Sequence, residues 1–312
     1  MTPPAQPRRG WKLPAQPRIA VVGARGLVGK ALLAVLHQRE FPHQGVAAMR
    51  VGGFCPQKVA DADLIFLAGP ASLAHKFARE LTSETRVVID LSEAWRMDPS
   101  VPLVLDGLNL DDVHQHQGLI SSPNCTNGGL LRVLDILRRD CTLGQVVVTT
   151  FQAASGGGRK LLQSIADTDD PLHANVIPQC DAFAEDGATL EEHRVVAESL
   201  RLLEDASLNI SATCVRVPVE VGHGLSVWIE ASEDFDLTAV AEKLRAEDGM
   251  VLSHSQEDYP TPKQIRGKEG VFLGRLRHGA KPNQLQLWIV TDNLLTGAAS
   301  NAVAIAEALL PS

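Results

Sequence analysis

Residues 19–29 read Ile-Ala-Val-Val-Gly-Ala-Arg-Gly-Leu-Val-Gly. The run Ile19–Val22 is short and β-rich, and it leads into glycines at 23, 26 and 29. From Lys30 to Arg39 the apolar residues Leu32, Leu33, Val35 and Leu36 recur at helical spacing. Strand, glycine loop and helix in that order form a dinucleotide-binding turn. The glycines let the backbone approach a pyrophosphate, and the helix N-terminus offers unpaired N–H donors. A tight βα turn without a ligand has the same spacing.

Outward from this stretch the alternation continues. Strands are expected at Gly45–Met49, Asp63–Ala68 and Arg86–Leu91, with a helix from Ser72 to Leu81. That pattern predicts a doubly wound parallel sheet. At the end of the second strand stands Arg50 rather than Asp or Glu. A cation there suits a 2′-phosphate, which favours NADP over NAD; Arg25, inside the loop, is placed to help. The other reading of Arg50 is a solvated surface arginine.

A second stretch carries chemistry. Ser-Ser-Pro-Asn-Cys-Thr-Asn-Gly-Gly (121–129) leads into the apolar-periodic segment 130–137. Cys125 therefore sits at or near a helix N-terminus, where unpaired N–H groups and the dipole favour thiolate. A thiolate is a nucleophile. A small buried cysteine beside a turn is the alternative.

After that helix the pattern becomes strand-rich. Strands are expected at Gln145–Gln152, Ala212–Val219, Leu225–Ala231, Val271–Leu276 and Leu285–Thr291. Helices are expected at Arg159–Ala166, Leu190–Leu203 and Leu237–Arg245. This reads as an α+β domain with a mostly antiparallel sheet. The Ala-rich segment from Asn293 to Leu310 predicts a helix that returns to the first domain.

The expected organisation is a disordered Pro-rich tail (1–17), a nucleotide-binding domain (18–124 with 292–312) and a catalytic and dimerisation domain (125–291).

Other residues stand out by their surroundings. Gln152 opens a glycine-rich strand end (152–158), and Arg216 is a charge inside an apolar strand. His223, between two glycines, reads as exposed and mobile enough for proton transfer. Thr189 and Glu192 fit a capping box, while Glu191, Arg194 and Glu198 share one helical face that is either solvated or part of a pocket.

Composition excludes several classes. A net charge of −8 argues against nucleic acid or an anionic membrane as the main partner. No run of 18 apolar residues reads as a membrane span. Five scattered cysteines without a C-x-x-C pair fit a reducing, cytoplasmic setting. His114 and His116 form an H-x-H without clustered partners, so no metal is expected.

Taken in order, the motifs resemble the aspartate-β-semialdehyde dehydrogenase family. The match runs through 21–29, F-P at 41–42, A-W-R-M-D at 94–98, P-N-C-T at 123–126 and F-Q-A-A-S-G-G-G at 151–158. It continues through E-E at 191–192, A-T-C-V-R-V-P-V at 212–219, G-H at 222–223 and L-W-I-V-x-D-N-L-L-x-G-A-A at 287–299.

The resemblance implies an NADP-dependent, phosphorylating dehydrogenase of lysine, threonine and methionine synthesis. It would convert aspartyl phosphate to the semialdehyde through a cysteine thioester. Cys125 would be the nucleophile, Gln152 would orient the acyl-enzyme and His223 would be the general acid/base. Arg216 would grip the substrate carboxylate and Glu191 its ammonium. Arg96 and Asn124 match phosphate-binding positions, and Arg194 is a further substrate-binding candidate. Gly23, Arg25, Gly26, Leu27, Val28, Gly29, Arg50, Gly69, Ser155, Gly156 and Asn293 match cofactor contacts. A small-molecule substrate, inorganic phosphate and a homodimer or dimer of dimers are the implied partners.

Arg194 stands where the family usually has lysine, and the segments after Arg50 and between Ser155 and Pro178 are shortened. Leu91, Glu93 and Gly107 also depart from the usual pattern. A related acyl-phosphate reductase of the N-acetylglutamyl-phosphate type, or a silent paralogue acting as an interaction protein, are the alternatives.

Overall fold

The computed structural model describes residues 10–311. It divides into two compact units, Met1–Pro123 with Ala298–Ser312, and Asn124–Gly297.

In the first unit the chain runs β1 (Arg18–Val22), α1 (Leu27–Gln38), β2 (Gly45–Met49), β3 (Leu64–Leu67), α2 (Ala71–Leu81), β4 (Val87–Asp90) and β5 (Leu119–Ser121). The strands form one sheet in the order β2-β1-β3-β4-β5, and every pairing is parallel. Strands β1, β3 and β4 are near-continuous apolar runs because both of their faces are covered. The edge strand β2, Gly-Val-Ala-Ala-Met, is largely exposed. Helix α2 buries Leu73, Ala74, Ala78 and Leu81 against the sheet, each large side chain contributing roughly 1.5–3 kcal/mol. The C-terminal helix Ser300–Ala308 packs in this unit beside α1, where Arg39 and Glu307 form an ion pair at 2.9 Å.

The expected tail is corrected in part. Residues 1–9 lie outside the described residues, but residues 10–17 are anchored. Leu13 is buried and its N–H donates to Leu309 O at 2.7 Å. Trp11 donates from Nε1 to Glu84 O at 3.0 Å and meets the His116 ring edge-on at 5.3 Å. Two apolar anchors offset the ordering cost that the prolines alone suggest.

The second unit contains α3 (Asn127–Arg138), β6 (Leu143–Gln152), α4 (Gly158–Ser164), α5 (Leu190–Leu202), β7 (Asn209–Arg216) and β8 (His223–Ala231). It continues with α6 (Leu237–Ala246), β9 (Met250–Leu252), α7 (Pro262–Ile265), β10 (Val271–His278) and β11 (Gln284–Thr291). One sheet results, ordered β7-β6-β8-β11-β10-β9. Its three central pairings are antiparallel and its two outer ones parallel, so the sheet is mixed. Helix α3 packs on β11 and α5 on β7. A Cβ on Gly129 would lie 2.8 Å from Thr291 Cγ2, so glycine permits the close approach of α3 to the sheet. Helix α5 starts with the expected capping box: Thr189 Oγ1 accepts the Glu192 N–H, and Glu192 Oε2 accepts the Thr189 N–H.

The division falls one residue earlier than expected at 124 and six later at the return, 298 rather than 292. Hydrogen bonds explain both shifts. The Asn124 N–H is held by Glu198, Asn293 pairs with Ser155, and Asp292 Oδ2 accepts the Gly267 N–H.

Candidate active site

Strand register assembles most of the site in the second unit. Gln152 ends β6 opposite Arg216, which ends β7. His223 opens β8, where Gly224 pairs with Phe151 on one side and His223 with Thr291 on the other. Three side chains distant in sequence thus reach the same end of the sheet, and Asn293 follows just beyond β11.

Cys125 reaches them from the turn before α3. Asn124 shapes that turn: its Oδ1 accepts the Thr126 N–H at 2.8 Å, and its carbonyl accepts the Asn127 N–H at 3.0 Å. Gly297 lies against the cysteine, since a Cβ there would come within 2.8 Å of the Cys125 Cβ. The half-buried Cys125 places Sγ 3.4 Å from His223 Nε2.

His223 corrects an expectation. Flanking glycines suggested an exposed, mobile loop, but the ring is fully buried (0% exposed). Pairing of β8 with both neighbours draws its first residue into the sheet. The buried ring's Nδ1 accepts the Ala153 N–H at 3.0 Å. Burial, and then the nearby Arg216 charge, push its pKa down to about 3, so the ring is neutral at pH 7.

Ala153 also receives the other key group. Its carbonyl accepts Arg216 Nη1 at 2.7 Å. Gly156 closes over both, because a Cβ there would lie 2.9 Å from Arg216 Nη1 and 3.1 Å from His223 Nε2. Ser155 Oγ and the Asn293 amide are hydrogen-bonded to each other, and Asn293 Oδ1 accepts the Gly222 N–H at 2.9 Å.

A carboxylate network lies beneath. Glu191 Oε1 accepts from Gln152 Nε2 at 3.1 Å and from Asn124 Nδ2 at 3.0 Å, while Oε2 accepts from Arg194 Nη1 at 3.3 Å. Gln152 Nε2 also reaches Thr126 Oγ1 at 3.2 Å. Arg194 lies 2.6 Å from Asp181 Oδ2. Burial pushes the Asp181 carboxyl up, but hydrogen bonds from Arg194 and the Ala182 N–H outweigh it and hold the pKa below the usual range. Glu198 is buried, with Oε2 accepting the Asn124 N–H at 2.6 Å.

The remaining predicted residues lie in the first unit. The Gly23 backbone has φ +94°, and a Cβ there would sit 2.2 Å from Ala68 O. A Cβ on Gly29 would sit 2.2 Å from Gly23 O. Only glycine fits either position. Helix α1 starts after Gly26 at Leu27 and Val28, with no side-chain cap and no acid in its first turn. The helix thus brings no carboxylate of its own to its N-terminal donors, which fits an anionic pyrophosphate. Arg25 is exposed in the loop, Arg50 is exposed after β2, and Gly69 follows β3. Arg96 is buried, donating from Nε to Ser122 O at 2.9 Å and from Nη2 to Leu91 O at 3.1 Å. Nearby Asp90, which accepts from the Ser92 N–H and Oγ, has its pKa pushed up to about 6 by burial.

Sequence reasoning overlooked Ala153, Thr126 and Asp181. Ala153 works through its backbone and leaves no signal in side-chain chemistry. Glu198 was visible by its spacing from Glu191, but the sequence left open which way that face points. Among the described residues, no group of three or more His, Cys, Asp or Glu is placed to hold a metal ion, and no helix is long and apolar enough to cross a membrane.

Two family models match the chain. One, described as semialdehyde dehydrogenase, NAD binding domain, covers residues 43–116; the other, semialdehyde dehydrogenase, dimerisation domain, covers residues 135–296. The chain belongs to the semialdehyde dehydrogenase family. Its relatives there are aspartate-semialdehyde dehydrogenases. That of Bacillus subtilis (strain 168) is 32% identical, over 93% of this chain and 96% of its own. That of Aquifex aeolicus (strain VF5) is also 32% identical, over 94% and 98%. Among solved structures, aspartate semialdehyde dehydrogenase II of Vibrio cholerae, complexed with ASA, superposes with a TM-score of 0.88 at 29% identity, over 94% of this chain and 98% of that one.

Proposed function

We propose that this protein is a phosphorylating aspartate-semialdehyde dehydrogenase that uses NADP to interconvert aspartyl phosphate and aspartate semialdehyde. One observation carries the reading. Cys125 Sγ stands 3.4 Å from His223 Nε2, while the Arg216 guanidinium is fixed on the adjacent Ala153 carbonyl. A sulfur nucleophile, a ring nitrogen and a carboxylate-binding cation are thereby held together.

Cys125 attacks the carbonyl carbon and carries the acyl group as a thioester. His223 stands where it can reach the oxygen of that carbon. Arg216 binds the substrate carboxylate through a fork that a lysine could not reproduce. Glu191 receives the substrate ammonium; its Oε1 accepts from two amides and its Oε2 from Arg194, which fixes the carboxylate in place. Gln152 orients the acyl group. Arg194, Asn124 and Arg96 are the proposed phosphate ligands.

NADP, when bound, accepts or returns the hydride that this chemistry needs. Gly23, Gly26 and Gly29 with the first turn of α1 would hold its pyrophosphate, and Arg50 its 2′-phosphate. Gly69, Ser155, Gly156 and Asn293 are the other proposed contacts. The match of the second unit to a dimerisation domain supports a homodimer. Five free thiols suit a reducing, cytoplasmic setting.

The test is direct. Purified protein given the semialdehyde, inorganic phosphate and NADP is expected to form reduced nicotinamide, and Cys125→Ser to form none. A folded wild type that reduces no cofactor with this substrate, or reduces it faster with N-acetylglutamate semialdehyde, would overturn the reading.

A further inference from the structure

Arg194 is shared between two carboxylates. Its Nη1 donates to Asp181 Oδ2 at 2.6 Å and to Glu191 Oε2 at 3.3 Å. Glu191 and Arg194 stand three residues apart on α5, so they share one face of the helix. Left to itself, such a pair closes into a short two-pronged ion pair. Here the shorter contact goes to Asp181.

Backbone geometry places Asp181 for that contact. The Leu190 N–H donates to Ala182 O at 2.9 Å, the Ala184 N–H donates to Ala188 O at 2.7 Å, and Phe183 bridges Thr189 in antiparallel fashion. A tight hairpin thus returns the chain from Asp181 to the first turn of α5. Asp181 itself has φ +71°, a region that aspartate tolerates better than most side chains. Its Oδ1 accepts the Ala182 N–H at 2.7 Å, and its carbonyl accepts Gln179 Nε2 at 3.0 Å. Both ends of the residue are fixed, which leaves Oδ2 to take the guanidinium.

The consequence falls on Glu191. Its Oε1 accepts from Gln152 and Asn124, and both of those donors are neutral amides. Amides orient the carboxylate without cancelling its charge. Arg194 can cancel it, so a cationic ligand at Oε2 competes with Arg194.

We propose that Asp181 is a positioning residue that draws the Arg194 guanidinium toward itself and so keeps the Glu191 carboxylate open to an ammonium group. The placement of Arg194 follows from this geometry alone. That the ammonium is the substrate's rests on the function proposed above.

The test is Asp181→Asn in the full-length protein. Asparagine is isosteric, keeps an oxygen for the Ala182 N–H and suits a positive φ. The side chain is 40% exposed, so the variant is expected to fold with a melting point close to that of wild type. Two measurements follow. In a crystal structure of the variant, Arg194 should close on Glu191 to about 2.8 Å. In steady-state assays, KM for the semialdehyde should rise about 10-fold or more, because the ammonium must now displace a charged hydrogen bond. KM for NADP and kcat should stay within about 3-fold of wild type, a split that a general loosening of the fold would not produce. An Arg194 that keeps its place in the variant crystal overturns the proposal, and so does an unchanged semialdehyde KM in an active enzyme. The crystal structure needs no turnover. An inactive wild type with a displaced Arg194 in the variant would leave the placement standing and remove the function proposed above. An active wild type with an unmoved Arg194 would do the reverse.

Discussion

Glu198→Ala removes the acceptor beneath the nucleophile turn. In the native protein the Asn124 N–H donates to Glu198 Oε2 at 2.6 Å, and Asn127 Nδ2 lies 3.4 Å from the same oxygen. Both donors are buried, as is Glu198 itself. Stranding a buried N–H costs about 1–3 kcal/mol, and the hole left by the missing side chain adds to it, so about 2–4 kcal/mol is expected in total. For a folding unit of this size that corresponds to a melting point lower by about 5–12 °C. Activity should fall further than stability. Asn124 immediately precedes Cys125, and displacing a nucleophile by about 1 Å can cost about 100-fold in rate. Glu198→Gln keeps an oxygen for the Asn124 N–H and should lose only about 1 kcal/mol. Calorimetry and kcat, measured on both variants below their melting points, test the argument. An alanine variant that melts within about 1 °C of wild type with unchanged kcat would refute it.

Arg216→Lys replaces a fork by a point charge; kcat/KM for the semialdehyde should fall about 100-fold or more in steady-state assays, with little change in melting point. Arg50→Glu removes the proposed 2′-phosphate contact, so kcat/KM with NADP should fall about 10–100-fold while that with NAD holds or rises. Asp90 has its pKa raised to about 6 from 3.8, so its neutral form is favoured in the native state. Its contribution is fully present below the unfolded value and is lost as pH rises through the native one. Asp90→Asn should therefore gain on wild type between pH 4 and pH 7, by an amount on the order of 3 kcal/mol in denaturant titrations; a gap that stays constant or narrows would count against the assignment.

The nucleotide unit was legible because its signals are local. Apolar runs, glycines and helical spacing within 19–39 specify the turn at the end of β1, and Gly23 and Gly29 occupy positions where any side chain would strike backbone. Cys125 and Gln152 were legible as unusual residues at element ends, and Arg216 as a charge inside an apolar strand. What escaped the sequence depends on pairing between distant segments. His223 was read as a loop residue because glycines flank it, whereas register with Phe151 and Thr291 turns it into the buried start of a strand. Ala153 has no distinguishing side chain, so nothing announces that its peptide holds both the imidazole and the guanidinium. Glu198 showed its helical spacing but not its direction, which is set by packing of α5 against α3. Residues 10–17 were judged by their prolines, while Trp11 and Leu13 decided the outcome.

The pairing of Gln152 with Arg216, and of Phe151 with the residue after His223, has a consequence for how this enzyme can vary. Distances among the working groups are measured along rigid ladders, so the connections between strands are free to shrink without disturbing them. The compact stretch from Ser155 to Pro178 is tolerable for that reason. A single residue inserted within β6, by contrast, would turn Gln152 to the opposite side of the sheet and dismantle the centre at once.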